Sequence, residues 1–388
     1  MVAKIARALG AALLWGLIAS CLVVTFVPAF LDHIYYHGSA SDHFDGAYFS
    51  NPDGEVSFPV QPGHRRGNLL TRFILGQAYR PEWPDHVAVT PVKPAARVDG
   101  QAMRATWVSH SSLLVQTAGL NILTDPVWSD YASPFAGFGP KRVAQPGIRF
   151  DDLPKIDIVI VSHNHYDHMD LPTLKRLWDR DKPVIITSLG NDTILKEEGI
   201  EAMALDWGQA AAIGGAQIHV MRNHHWSSRW GKDRNRALWS AFVISTGAGN
   251  IFFGGDTGAG DFAWADDARR IGPVRLALIP IGAFRFYKGQ MENDAHIGPG
   301  QAVALFERLG ASSAIGMHWG TFRMSAEAWG TPPAMLKLHL RCEGIADGRF
   351  RTVHLAGAVD VPPYSPAIAR KGDPAPCRPD SPEMLALK

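Results

Sequence analysis

An α/β fold, with sheets covered on their outer faces by helices, is what this sequence predicts, and three features carry that expectation. Between residues 101 and 357, short aliphatic and β-branched runs come first as a meander and later alternate with helix-length segments. Several of these runs end abruptly in His or Asp, the pattern of strand ends that present polar groups. Of the 388 residues, 46% are hydrophobic and 19% charged, which is enough apolar material for one large globular domain.

From the N-terminus, Ala8 to Leu31 carries no charge. Its length exceeds the roughly 20 residues that cross a bilayer. Lys4 and Arg7 precede it and Asp32 follows. The positive-inside rule then predicts a transmembrane anchor over 8–31, with residues 1–7 in the cytoplasm and the rest beyond it, in a bacterial inner membrane with the main domain on the periplasmic side. Two alternatives stand beside this. Ile18-Ala19-Ser20-Cys21 is like a lipobox, which would lipidate Cys21, and a cleaved signal peptide is the other.

Residues 32–100 are rich in Pro, Gly and His and lack periodicity, so they read as an extended arm or cap. They include Asp42-His43-Phe44-Asp45-Gly46 and Phe49-Ser50-Asn51-Pro52. Met103 to Val108, Leu113 to Thr117 and Asn121 to Leu123 read as successive strands with a turn at Ala118-Gly119. Ile156 to Val161, Val184 to Ser188, Gln217 to Met221, Trp239 to Ser245, Ile251 to Phe253, Leu276 to Ile281 and Ser313 to Met317 are further strands. Leu171 to Asp179 and Pro299 to Leu309 read as helices. Residues 358–388 hold seven prolines and read as a surface tail.

A net charge of +1 argues against a nucleic-acid partner. Cys21, Cys342 and Cys377 show no CxxC spacing, so they form no zinc ribbon; a Cys342–Cys377 bridge requires an oxidising compartment. Sixteen His is a high count that suits metal binding better than packing.

The densest signal is His163-Asn164-His165-Tyr166-Asp167-His168, directly after the run Ile156 to Val161. Three imidazoles and a carboxylate at a strand end can aim at one centre, and a donor set without sulfur suits Zn²⁺, with Fe and Mn also served by these ligand types. Four donors do not close two sites. Three other strand ends supply more: Asn223-His224-His225-Trp226, Gly254-Gly255-Asp256-Thr257-Gly258 and Met317-His318-Trp319.

This ordered set, HxHxDH, then His, then Asp in a GGDTG turn, then His, resembles the metallo-β-lactamase superfamily. Asp42 to Gly46, Thr106-Trp107-Val108-Ser109-His110, Leu123-Thr124-Asp125-Pro126-Val127, His225-Trp226 and His318 to Phe322 resemble its branch of N-acylphosphatidylethanolamine-hydrolysing phospholipases D. The resemblance implies a four-layer αββα sandwich and a dinuclear zinc centre. In it His163, His165 and His225 bind the first ion, Asp167, His168 and His318 the second, and Asp256 bridges; His224 and His225 are interchangeable at this point. Asp125 and His110 match positions that support the ligands, although Asp125 also reads as a turn-former before Pro126. Asp167 and His296, in Asp294-Ala295-His296-Ile297-Gly298-Pro299, are the candidate catalytic residues. Arg285 and Lys288 are candidate phosphate contacts.

The expectation is a membrane-anchored zinc hydrolase that cleaves a phospholipid phosphodiester, and the family admits a homodimer. A lactonase or other hydrolase of a soluble substrate is one alternative. A non-catalytic, metal-binding envelope protein is another.

Overall fold

A computed structural model describes residues 2–57, 81, 83–287, 289–291, 293–346, 348–353, 355–366 and 372–387. Strands β1 (Met103–Ser109), β2 (Ser112–Thr117), β3 (Leu120–Thr124), β4 (Ile158–Val161), β5 (Val184–Ser188) and β6 (Met203–Leu205) lie side by side in chain order. Strands β7 (Ala210–Ile213), β8 (Ala216–Met221), β9 (Ala241–Thr246), β10 (Gly249–Phe253), β11 (Val274–Pro280), β12 (Ser313–Met317) and β13 (Phe350–Thr352) form a second sheet, also in chain order. Strand β14 (Ala358–Asp360) returns to the first sheet and pairs antiparallel with β1.

Each sheet is mixed. Pairing is antiparallel from β1 to β3 and from β7 to β10. It is parallel from β3 to β6 and from β10 to β13. Parallel neighbours end on the same edge, and in open α/β sheets that carboxyl edge is where ligands bind.

The two sheets face each other through a shared apolar layer. Trp107, Leu113, Ile158 and Ile160 of one meet Ile218, Phe242, Phe253 and Leu278 of the other. Helices α2 (Leu171–Asp181) and α3 (Asn191–Glu197) cover the outer face of the first sheet. There Leu174, Leu177, Ile194 and Leu195 pack with Val159, Val161 and Ile185. Helices α4 (Ala263–Ile271), α5 (Pro299–Leu309) and α6 (Thr331–Cys342) cover the second through Trp264, Val303, Phe306 and Leu336. Burying one such large side chain is worth about 1.5–3 kcal/mol, so the helix–sheet–sheet–helix order follows from which faces carry them. Helix α6 begins at Thr331-Pro332-Pro333, where Pro at the first helical positions starts a helix without losing a hydrogen bond.

Helix α1 (Val2–Phe30) spans 29 residues. The expected membrane span is not met: among the described residues no helix is long and apolar enough to cross a membrane. Asp32, just beyond α1, is held by Arg236 at 2.7 Å.

The Pro-rich tail is built into the domain at two places. Its first residues form β14, and its later part is tied by a Cys342–Cys377 disulfide across 35 positions. Helix α7 (Pro382–Leu385) then places Met384 against Phe284, Met335 and Leu338. Closing a loop of that length is worth about 3–4 kcal/mol in the chain-entropy picture. Reduction, or Cys377→Ser, is therefore expected to lower the urea unfolding free energy by about 3–4 kcal/mol. A change under about 1 kcal/mol would show that the tail docks without help from the bridge.

Candidate metal centre

The polar groups gather where the strands end. Asp125 follows β3, the His163–His168 loop follows β4, His225 comes four residues after β8, Asp256 three after β10, and His318 directly after β12. His110 sits in the turn between β1 and β2. His110, Asp125 and His318 have φ of 45°, 30° and 61°. Left-handed conformations cost non-glycine residues energy, and they persist where surrounding structure holds them. Here His318 N–H donates to His110 O at 3.1 Å, and His110 N–H to Thr321 Oγ1 at 2.8 Å.

Two groups of donors result. The candidate ligand atoms of His163, His165, His225 and Asp256 lie within 4.8 Å of one another, and so do those of His110, Asp167, His168 and His318. Asp256 joins the groups, because its Oδ2 lies 3.1 Å from His168 Nε2, 2.9 Å from His318 Nε2 and 4.0 Å from His225 Nε2. All these side chains are buried except His165, which is partly exposed.

Neighbours set the tautomers. Asp125 takes hydrogen bonds from Ser162 N–H (2.7 Å), Ser162 Oγ (2.6 Å) and His168 Nδ1 (2.6 Å). Since Ser162 Oγ donates to Asp125, it accepts from His163 Nδ1 at 2.9 Å. His225 Nδ1 donates to Ala295 O at 3.0 Å. Three imidazoles thus spend Nδ1–H on a neighbour and turn Nε2 inward, the arrangement that orients metal-bound His. Asp125 accordingly works as a support, not merely as a turn-former.

Chemistry of the donor atoms fits a metal. Nε2 of His168, His225 and His318 and Oδ1 of Asp256 are buried without a hydrogen-bond partner. His168 Nε2 and His318 Nε2 approach Asp256 Oδ2 without hydrogen-bond alignment, so these atoms point past one another toward common centres. His163 Nε2 and His165 Nδ1 stand 2.8 Å apart. Buried polar groups are ordinarily paired, and a cluster of inward lone pairs is what divalent ions satisfy.

Electrostatics divides the imidazoles. Burial pushes His163 and His225 well below the ordinary range, and His165 down to about 4. Burial acts the same way on His318 and His168, but the carboxylates of Asp256 and Asp167 outweigh it. His318 is raised to about 9 and His168 well above its usual value. Burial alone would raise Asp167 and Asp256, yet His168 and its neighbours hold both well below the carboxylate range.

His224 and His225 separate here. His225 faces the cluster, while His224 Nδ1 turns away to Asp53 Oδ1 at 2.9 Å. His296 lies at the rim, with Nδ1 3.6 Å from Asp256 Oδ2 and its backbone N–H on Asn293 Oδ1. His110 comes closer than a supporting position implied, with Nε2 3.0 Å from Asp167 Oδ2. Arg285 is no phosphate contact: it is buried, donating to Gln290 O and Leu387 O, and so secures the C-terminal segment. Lys288 lies outside the described residues.

A cleft of about 310 Å³ opens over Asp167, Asp256, His296 and His318, walled by Tyr166, Trp226, Phe286 and Met324. Gly255, with φ of +56°, passes so close to the His loop that a Cβ there would stand 2.7 Å from Ser162 Cβ.

A family model described as "Beta-lactamase superfamily domain" matches residues 120–319. The chain is 30% identical to "N-acyl-phosphatidylethanolamine-hydrolyzing phospholipase D 1" of Caenorhabditis elegans, over 80% of this chain and 92% of that protein. It is 32% identical to "N-acyl-phosphatidylethanolamine-hydrolyzing phospholipase D, mitochondrial" of Saccharomyces cerevisiae, over 62% of this chain and 53% of that one. Among solved structures, isothiocyanate hydrolase from Delia radicum gut bacteria shares the fold, with a TM-score of 0.53 at 18% identity, covering 66% of this chain and 98% of that one.

The protonated pair carries a pH signature. His318, raised to about 9, and His168, raised well above its usual value, stabilise the metal-free fold fully below about pH 6.5, and that contribution is lost as pH rises through about 9. A divalent ion must displace these protons, so Zn²⁺ affinity is expected to rise with pH by roughly tenfold per unit for each proton released. Competition titrations at pH 6.5 and 8.5 measure this. Equal affinities would show that both imidazoles are neutral in the metal-free protein.

Proposed function

The chain belongs to the metallo-β-lactamase superfamily, and we propose that it is a dizinc phosphodiesterase of phospholipase D type, acting on lipids like N-acylphosphatidylethanolamine. It is a metal-dependent hydrolase of the branch that contains the N-acylphosphatidylethanolamine-hydrolysing phospholipases D. The observation that carries the finer reading is Asp256, whose carboxylate stands between two donor groups beneath an apolar-walled cleft.

In this reading His163, His165 and His225 would hold one ion and Asp167, His168 and His318 the other, with Asp256 offering its carboxylate beside both groups. When bound, two such ions supply a nucleophile at neutral pH and neutralise charge on the substrate oxygens. The chain's own residues do the rest. Asp125, Ser162 and Ala295 fix the ring orientations. Tyr166, Trp226, Phe286 and Met324 provide the apolar walls, which strengthen electrostatic contacts inside by excluding water. Burial lowers His296 to about 4, so its imidazole is neutral at pH 7 and donates an N–H to a phosphate oxygen.

The reaction joins a water oxygen to phosphorus and breaks the bond from phosphorus to the N-acylethanolamine oxygen. Phosphatidic acid and N-acylethanolamine leave. The Cys342–Cys377 bridge supports a place for the catalytic domain on the periplasmic side, since disulfides persist in oxidising compartments.

The test is hydrolysis of N-acylphosphatidylethanolamine in mixed micelles by the zinc-loaded protein in ¹⁸O-water. Label in phosphatidic acid is expected. A protein loaded with two zincs that releases no head group from any phospholipid would sink the reading. His296→Ala is expected to lower kcat about 10²–10³-fold while elemental analysis finds the metal content unchanged; loss of metal instead would make His296 a ligand.

A further inference from the structure

We infer that Asn51, in the N-terminal arm, is a positioning residue of the metal centre that acts through His225. The inference rests on His225 being a ligand, as proposed above. Phe49-Ser50-Asn51-Pro52 stands out in the sequence, and the ligand set accounts for none of it.

His225 lies in the loop after β8, one residue past the isolated bridge that pairs His224 with Gly258. Asn51 supplies what a neighbouring strand would. Its Nδ2 donates to His225 O at 2.8 Å, and its Oδ1 accepts from His225 N–H at 3.3 Å. One side chain, 6% exposed, therefore occupies both main-chain polar groups of the residue. Its Oδ1 also accepts from Trp239 Nε1 at 3.2 Å, which sets the plane of the amide. With the main chain held by Asn51 and the ring held by Ala295 O, His225 has no soft torsion left with which to withdraw Nε2.

The arm is itself anchored on both sides of Asn51. His43 stands between Asp42 and Asp206, and its ring stacks on Trp207 at 4.6 Å. Phe44 and Phe49 pack with Leu238 and Trp239. Phe49 N–H donates to Asn235 O at 2.8 Å. Two residues after Asn51, Asp53 accepts from His224 Nδ1 at 2.9 Å and from Asp261 N–H at 3.0 Å. The arm thus grips both members of the His pair, taking His224 by its ring and His225 by its main chain. The main chain of His224 is also tied to Gly258 N–H at 2.6 Å and Thr257 Oγ1 at 3.1 Å, and the arm's grip adds to these in setting which of the two faces the cluster. The segment read as a cap is, at Asn51 and Asp53, part of the scaffold of the site.

Mutation of groups that orient a ligand typically costs about 10–100-fold in metal affinity. The experiment measures Zn²⁺ affinity of the full chain by competition with a chromophoric chelator, for wild type, Asn51→Ala, Asn51→Asp and His225→Ala. Asn51→Ala is expected to weaken the tighter-responding site about tenfold or more, a smaller loss at the same site than His225→Ala causes. Asn51→Asp keeps the acceptor for His225 N–H and Trp239 but sets a carboxylate oxygen against His225 O, two acceptors face to face, so it is expected to weaken the site at least as much as Ala. It also serves if the alanine variant fails to fold. Amide exchange at His225 should quicken in Asn51→Ala, which removes the acceptor of its N–H, while exchange in β3, β4 and β10 is unchanged. If His225→Ala weakens binding and neither Asn51 variant does, the positioning role is overturned and the ligand assignment stands. If His225→Ala leaves affinity untouched, the ligand assignment falls and takes this inference with it.

Discussion

Everything in this protein is arranged around the meeting of Asp256 with the His163–His168 loop. The carboxylate belongs to one sheet and the loop to the other, and they come within 3.1 Å at His168 Nε2. Such a meeting is electrostatically demanding. Two carboxylates and five imidazoles are buried together, and an isolated buried charge is strongly unfavourable. The cluster is tolerable because opposite charges alternate in it and because its free lone pairs converge on positions suited to cations. The shared apolar layer between the sheets supplies the force that holds the two halves of the site together.

Outward from that meeting, His163, His168 and His225 are each held by a neighbouring group. Asp125 and Ser162 orient His168 and His163, Ala295 orients His225, and the close passage of Gly255 over Ser162 lets the GGDTG turn approach the His loop. The left-handed backbone at His110, Asp125 and His318 is stabilised by hydrogen bonds among these same segments. The donor groups stand at strand ends, whereas the cleft walls Tyr166, Trp226, Phe286 and Met324 come from loops. This is why membership of the superfamily settles metal-dependent hydrolysis, whereas the lipid specificity proposed here depends on the cleft.

Much of this was legible beforehand. Ten of the strands, the helices that begin at Leu171 and Pro299, the strand ends carrying His163, His165, Asp167, His168, Asp256 and His318, and the αββα layering follow from local pattern and from the family resemblance. What misled was context. Arg285 looks like an exposed cation and is buried under the C-terminal segment. The apolar run at 8–31 forms helix α1, but the described residues contain no helix that qualifies as a membrane span.

The sequence by itself determined the donor chemistry and its position at strand ends, because apolar periodicity and residue type are local properties. Only the tertiary structure decided that His225 and not His224 faces the cluster, that His110 comes up against Asp167, and that Asn51 holds the loop between them and the arm. These choices depend on contacts between residues as far apart as 174 positions. Hydrogen bonds over such separations leave no periodic trace along the chain. They exist only once packing has brought the partners together.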